Sequence, residues 1–442
     1  MTMPFSSPGF RRSLVALSVL GLLLAACGLS APPEPTPVPT PAEPQVLRVY
    51  ALDGPPIRQV IDLLAKEFTR THPQFTVKVE SFQNDPVQEL PALMAADKSP
   101  DVVWTIDSMT QSLIDADVLL DMREMAAVDG GFKIEDIDPI ALSAVSSKDR
   151  PGLFAIPASL ETVQMFYNKT MFEEAGAPLP QPDWTWDDLI DACLQVQAAK
   201  PSVQCVNYSA TGLLGPEWWA FWAPWVQGYG GSALSADGRT STLSSFESLS
   251  GLQAYTDLWT RHKIATPLNQ GEDCFARQTC AVTFFVTAGV PLFERMVGDR
   301  FEWDVLPMPA HPGGRLTGTG VYGFGIGKNA KHRQAAWEFV KHLATPEAQR
   351  LIAQNGLGMP MLKSLADDPT VMQLPPKLQV FAEGARFGVP PPGYPAKCGN
   401  LYTGMVQSAI SEGLNRVIRQ GVKVEDAFKA VDARIQACLD AD

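Results

Sequence analysis

The chain has 442 residues, 45% of them hydrophobic and 9% aromatic, which is enough apolar content for two folded units and excludes intrinsic disorder. Its 48 acidic and 35 basic residues give a formal net charge of −13, and no Lys/Arg cluster stands out, so nucleic acid is excluded as a partner. Beyond the first residues no apolar run reaches the ~18 residues that a membrane-crossing helix needs.

Near its start the chain carries Arg11-Arg12 and then an apolar stretch from Leu14 to Ala26, the pattern of a secretory signal peptide and too short to span a bilayer. Leu24-Ala25-Ala26-Cys27 resembles the lipobox of bacterial lipoproteins, which implies lipidation at Cys27 and removal of residues 1–26. An ordinary signal peptide holding a cysteine is the alternative. From Ala31 to Pro44 the chain reads APPEPTPVPTPAEP, which favours extended polyproline II and buries no core, so residues 27–45 are read as an anchor and linker. Arg11-Arg12 match a twin-arginine signal loosely and leave the export route open. The expected location is extracytoplasmic, lipid-anchored to a bacterial membrane, at the cell surface or in the periplasm.

Val46–Leu52 reads as a strand, Ile57–Arg70 carries apolar residues at helical spacing, and Phe75–Phe82 alternates as a second strand. A helix over Val87–Ala96 and a short apolar strand at Val102–Ile106 complete βαβαβ, which predicts an α/β fold with parallel strands covered by helices. Helices are expected at Trp186–Ala198, Phe246–His262, Arg333–Leu343 and Pro346–Gln354. No internal repeat interrupts the pattern. With Cys27 assigned to a lipid, six of the seven cysteines remain, and their spacing favours Cys193 with Cys205, Cys274 with Cys280, and Cys398 with Cys438 among the fifteen pairings open to six. Export to an oxidising compartment fits this framework. A metal site is the poorer reading, because no C-x-x-C occurs and His262 is the one histidine near these cysteines.

Several segments together resemble the extracellular solute-binding proteins of ABC importers, in the sugar-binding group typified by maltose-binding protein. LRVYALDG with FTVKVESF is similar to that family's opening, and SPDVVWTIDS to its third strand and following loop. FAIPASLETVQMFYNKTMFEEAG at Phe154–Gly176, followed by Trp184-Thr185-Trp186-Asp187-Asp188-Leu189, has the family's Ile-Pro strand, Tyr-Asn-Lys element and Thr-Trp helix start. Gly320–Gln349 resembles its glycine-led strand with the A-W-E-F-V helix and T-P-E-A-Q. The resemblance implies a two-lobed, type II periplasmic-binding-protein-like fold, each lobe a mostly parallel sheet covered by helices. Lobe 1 would hold residues 46–158 and 323–390, and lobe 2 residues 159–322 and 391–442, with crossings near Ala158–Thr162, Thr319–Tyr322 and Pro390–Pro395. It further implies a monomer that takes up a mono- or oligosaccharide by closing its lobes and passes it to ABC permease subunits, with no catalysis and no cofactor.

A sugar cleft needs flat aromatic surfaces and hydrogen-bonding carboxylates or amides. Trp218, Trp219, Trp222 and Trp225 fall within eight residues, and on a helix 218, 222 and 225 share a face. Trp222 and Trp225 are the favoured ligand contacts, with Trp219 after them; packing in the core is the competing role. Asp107 follows the third strand, where the carboxyl ends of parallel strands open on a crevice. Trp104 and Asp107 resemble a sugar-touching Trp and Asp of maltose-binding protein, with spacing changed by one residue. Glu161 lies six residues before Tyr167-Asn168-Lys169, where the family has a glutamate near the crossover. Asp53, after the first strand, and Tyr322, in the returning strand, are further candidates, and Tyr402 is a weaker one.

Gly318-Thr-Gly320-Val-Tyr-Gly323 matches G-x-G-x-x-G, but the following Phe324-Gly325-Ile326-Gly327 continues an alternating strand, so a dinucleotide fingerprint is not expected. Two other functions compete. One is a glycoside hydrolase using Asp107 and Glu161, although the chain has neither H-E-x-x-H nor G-x-S-x-G and only five histidines. The other is the same fold holding a polyamine or peptide, because indole faces also attract ammonium groups.

Overall fold

The alternating segments at the start of the folded chain form two strands, β1 (Gln45–Ala51) and β2 (Phe75–Ser81), joined through the helix Ile57–Thr71. Ile61, Leu64 and Phe68 recur at helical spacing on one face of that helix and are buried. The helix Pro86–Ala95 leads to β3 (Val102–Ile106), all of whose residues are buried, as a strand covered on both faces requires. This computed structural model describes residues 45–51, 57–82, 86–147, 150–208, 215–267, 274–356, 358–366, 368–399, 401 and 404–441. Cys27, the leader, most of the linker, Asp53 and Tyr402 lie outside the described residues.

The remaining strands are β4 (Ile156–Thr162), β5 (Gln164–Asn168), β6 (Val206–Asn207), β7 (Val282–Phe285), β8 (Trp303–Leu306), β9 (Thr317–Ile326) and β10 (Gly388–Val389). They form a six-stranded sheet in the order β10-β9-β3-β1-β2, with β4 also on β9, and a four-stranded sheet in the order β6-β7-β5-β8. β1 is parallel to β2 and β3, as βαβαβ demands. β9 runs antiparallel to β3 and β4, and β5 antiparallel to β7 and β8. The sheets are therefore more mixed than the expected mostly parallel ones. The cause is the path of the chain: β9 follows β8 of the second sheet and enters the first from that side, while β4 leaves the first sheet and passes through Val163 alone into β5.

Each sheet has its own core. Leu47, Val49, Phe68, Trp104, Phe324 and Trp337 belong to the first cluster. Trp186, Trp222, Tyr255, Phe284 and the apolar faces of the helices Met405–Gln420 and Val424–Asp440 belong to the second. A third cluster covers the other face of β5, β7 and β8 with Phe293, Phe301 and Phe381.

Local chemistry explains the boundaries. In YNKTMFEEAG, Asn168 caps the helix Lys169–Ala175 by accepting from Met171 N–H at 2.8 Å, and Gly176 ends it with φ 65°. Thr185 and Asp188 form a capping box at the start of Trp186–Ala199. The bridges Cys193–Cys205, Cys274–Cys280 and Cys398–Cys438 are present as their spacing predicted. Among the described residues no helix is long and apolar enough to cross a membrane.

Candidate functional site

β4 and β9 link the two sheets, and their antiparallel pairing sets Glu161 opposite Gly320 and Ser159 opposite Tyr322. Directly paired residues of an antiparallel ladder project on the same face, so Ser159, Glu161 and Tyr322 share a surface with the bare backbone of Gly320. A Cβ at Gly320 would stand 3.0 Å from Asp107 Oδ2 and 3.8 Å from Trp219 Cζ2. Glycine at this position thus lets a carboxylate of the first sheet and an indole of the second meet at one strand.

Asp107 begins the helix Asp107–Asp115, and its Oδ2 accepts the Val321 N–H at 2.7 Å. The bond ties the C-terminal end of β3 to the crossing strand. Glu161 is the more unusual group: its side chain is partly exposed, yet Oε2 is buried and has no hydrogen-bond partner. Burial pushes its carboxyl up to about 8, against the opposing pull of the Thr287 hydroxyl and N–H and of the Ser159 hydroxyl. Among the described residues no cation contributes to that balance. Tyr322 is buried beside it, and burial together with the Glu161 charge raises its phenol well above the ordinary value.

A turn closes over this surface. Leu160 and Met359 exchange backbone hydrogen bonds of 3.1 and 2.9 Å, and a Cβ at Gly358, whose φ is 146°, would collide with Ser159 Oγ and stand 2.8 Å from Glu161 Oε1. Thr287, on the loop between β7 and the helix Gly289–Val297, is fully buried, and its hydroxyl makes no well-formed hydrogen bond.

The structure thus gathers four of the expected residues, Asp107, Glu161, Tyr322 and Trp219, about Gly320. It places the favoured tryptophans elsewhere. The helix Trp219–Gly228 is buried on all sides, with Gln227 its one exposed residue, so the shared face of Trp222 and Trp225 looks into core. Trp222 Nε1 donates to Glu217 O at 3.1 Å, and the Trp225 ring lies 4.4 Å from Trp186 and 4.8 Å from His311. Trp219 occupies the first turn of that helix, 1% exposed, with its Nε1 unpaired. Trp104 is buried in the first core opposite Phe324, its Nε1 also unpaired. Sequence reasoning passed over Ser159, Thr287 and the Gly358 turn. The Thr-Ala-Gly that ends the apolar run Val282–Val286 was the available signal for Thr287, since small residues between strand and helix admit close approach.

The G-x-G-x-x-G run lies wholly inside β9 and opens no helix, which disposes of a dinucleotide fingerprint. Among the described residues no cluster of His, Cys, Asp and Glu is arranged to hold a metal ion.

Comparison with known proteins agrees with this architecture. A protein of Brucella abortus described as a binding protein is 25% identical over 349 residues, 73% of this chain and 76% of its own length. The sn-glycerol-3-phosphate-binding periplasmic protein of Agrobacterium fabrum is 22% identical over 173 residues, and that match spans only 37% of its length. Among solved structures, the ABC substrate-binding protein of Listeria monocytogenes in complex with cycloalternan superposes with a TM-score of 0.78 at 21% identity, covering 90% of this chain and 100% of that one. A Mycobacterium tuberculosis protein in complex with glycerophosphocholine superposes with a TM-score of 0.77 at 20% identity, covering 90% and 99%. These likenesses establish the fold as that of the type II periplasmic binding proteins. The profile of the family described as "Bacterial extracellular solute-binding protein" matches residues 54–350, about two thirds of the sequence, and the chain belongs to that family.

Proposed function

We propose that the protein captures a carbohydrate between two lobes and delivers it to the permease of an ABC transporter. The observation that carries the reading is the convergence of Asp107, Glu161, Tyr322 and Trp219 at Gly320, on the strands by which the chain passes between the two sheets. Carboxyls, a phenol and an indole in a buried setting match the hydroxyl rim and C–H faces of a sugar. The cycloalternan of one structural neighbour and the glycerophosphocholine of another support a solute that carries hydroxyl groups.

In this reading residues 46–158 with 323–390 and residues 159–322 with 391–442 are the lobes, and β4 and β9 are the hinge strands. Solute touches both lobes only when they are closed, so it shifts the population by its differential affinity, which the permease then reads. The N-terminus belongs to the same proposal: Cys27 carries a lipid, and the proline-rich linker gives the tethered receptor reach and local concentration near the permease. Loss of labelled palmitate incorporation in Cys27→Ala, with expression unchanged, is the expected outcome for the tether.

The deciding experiment is a thermal-shift screen against neutral mono- and oligosaccharides, with sn-glycerol 3-phosphate, spermidine and a peptide mixture as contrasts. A solute at a hundred times its Kd stabilises by about 2.7 kcal/mol. A shift with a contrast compound and with no sugar sinks the carbohydrate assignment.

A further inference from the structure

After β10 the chain runs through Pro390-Pro391-Pro392-Gly393 into a single helical turn, Ala396–Cys398, closed by the Cys398 N–H donating to Pro395 O at 3.0 Å. The turn is fastened to the C-terminal end of the helix Val424–Asp440: Cys398 is bridged to Cys438, and Lys397 Nζ donates to Leu439 O at 3.1 Å and to Ala441 O. A lysine is favourable at a helix C-terminus, but Lys397 is exposed and helix ends fray, so the covalent bridge is the firm attachment. On its other side the turn lies against the helix Asp107–Asp115, which follows β3 of the first sheet. It thus touches the first lobe while being tied to the second. Five of the six bridged cysteines are 0–3% exposed, whereas Cys438 is only partly buried. Exchange with a thiol starts by attack on a sulfur that the thiol reaches, which sets this bridge apart from Cys193–Cys205 and Cys274–Cys280.

We propose that Cys398–Cys438 is a thiol–disulfide exchange site that acts as a clasp on lobe closure, with a dithiol as the reacting partner. The inference rests on the reading that solute is captured between two lobes, and it adds a redox control to that capture. With the bridge intact the turn is ordered before solute arrives, so closing it onto the helix Asp107–Asp115 loses little further chain entropy. In the exchange, one thiolate of the dithiol attacks Sγ of Cys438, forms a mixed disulfide and expels the Cys398 thiolate, which takes up a proton. The second thiol of the reagent, once deprotonated, attacks the reagent's own sulfur in that mixed disulfide. Cys438 leaves as a thiolate and is protonated, and the dithiol ends as a disulfide, having given two electrons to the bridge. The freed turn keeps Lys397 as a tie to the helix end and has to be ordered at each closure, so the closed state loses population and solute is released sooner.

The test has two arms on the full chain. In the first, dithiothreitol is added under native conditions, free thiols are trapped with iodoacetamide, and the labelled cysteines are mapped by mass spectrometry. Cys398 and Cys438 should label ahead of the other two pairs; equal rates, or another pair first, overturn the exchange site. In the second, calorimetry and stopped-flow compare oxidised protein, protein with this bridge reduced, and Cys398→Ser/Cys438→Ser. The probe is the tightest binder in a panel of maltose, maltotriose, sn-glycerol 3-phosphate and spermidine. Reduced protein and the serine variant should bind it at least about fivefold more weakly, chiefly through faster release, and reoxidation should restore wild-type affinity. Dithiothreitol should have no further effect on the variant. Cys274→Ser/Cys280→Ser removes a bridge of the third cluster and should leave affinity within about twofold; a loss there as large as at the clasp assigns the effect to general stability and overturns the proposal. If the first serine variant does not fold by circular dichroism, reduced wild type decides, and unfolding of both makes the bridge structural and overturns the clasp. A loss below about fivefold in folded, reduced protein overturns it as well. If no solute binds the oxidised protein, the capture reading fails and the clasp with it, whatever the labelling shows.

Discussion

Acidification should weaken the second core through one residue, His311. Its imidazole is 4% exposed, accepts the Trp186 indole N–H on Nε2 at 3.3 Å, and meets the Trp225 ring edge-on at 4.8 Å. Nδ1 has no partner, and burial lowers the pKa from 6.5 to about 4. The unfolded chain therefore takes up a proton near 6.5 that the folded protein refuses until about 4. Stability from this group is complete above the unfolded pKa and is lost as pH falls through the window to the folded one. The separation of about 2.5 units corresponds to roughly 3 kcal/mol.

The assay is urea unfolding at a series of pH values from 7 to 4, on wild type and on His311→Gln, whose amide still accepts from Trp186 but does not titrate. The whole-protein curve alone does not report on His311, because Glu161 works in the opposite direction: a carboxyl held at about 8 makes the fold less stable as pH rises from 4.5. His342, also lowered by burial, adds a change of the same sign as His311. Both cancel in the difference between wild type and variant. The stability gap should be widest at pH 7 and shrink by about 3 kcal/mol by pH 4. A gap that stays constant across that range refutes the reasoning.

Glu161→Gln should raise the stability of the solute-free protein, with an advantage that grows between pH 5 and 8 because only wild type titrates; parallel melting curves over that range would count against a desolvated carboxyl. Asp107→Ala strands the Val321 N–H and should cost about 1–3 kcal/mol in urea, while Asp107→Asn keeps an acceptor and recovers most of it. Trp222→Ala should destabilise by about 3–5 kcal/mol as a core cavity; loss of binding with normal stability would return that ring to the cleft. Removing Cys398–Cys438, 40 residues apart, should cost about 4 kcal/mol against about 2 for Cys274–Cys280, six apart; equal losses would argue against a chain-entropy origin.

Elements that carry their own end signals were legible in the sequence. Arg333–Leu343 and Pro346–Gln354 appear with the expected bounds, the second because Thr345 caps it and Pro346 fits its first turn. Val102–Ile106 is likewise found as read. β6 and β10, two residues each, carry no periodicity, and they exist only because β7 and β9 offer edges to pair with. The tryptophan helix misled for a related reason: spacing reveals which rings share a face, but in a helix buried all round no face is turned outward. Asp107 was accessible to sequence because the carboxyl ends of parallel strands open on a crevice, and Glu161 through the family resemblance. Thr287 was not, since what sets it apart is a missing partner, which only the assembled fold displays.

That missing partner bears on how closure would be driven. Moving a two-state equilibrium from 1:99 to 99:1 takes about 5.5 kcal/mol of differential affinity. Glu161 Oε2, Thr287 Oγ1 and Trp219 Nε1 are unpaired and buried, and satisfying each is worth about 1–3 kcal/mol. Three such bonds span the requirement without help from area burial. Trp104 Nε1 and His311 Nδ1 are unpaired inside the cores as well, so it is the nearness of Glu161, Thr287 and Trp219 to the crossing strands that singles them out. In the proposed mechanism solute satisfies them, and a molecule that reaches only one of the three atoms supplies too little to close the lobes.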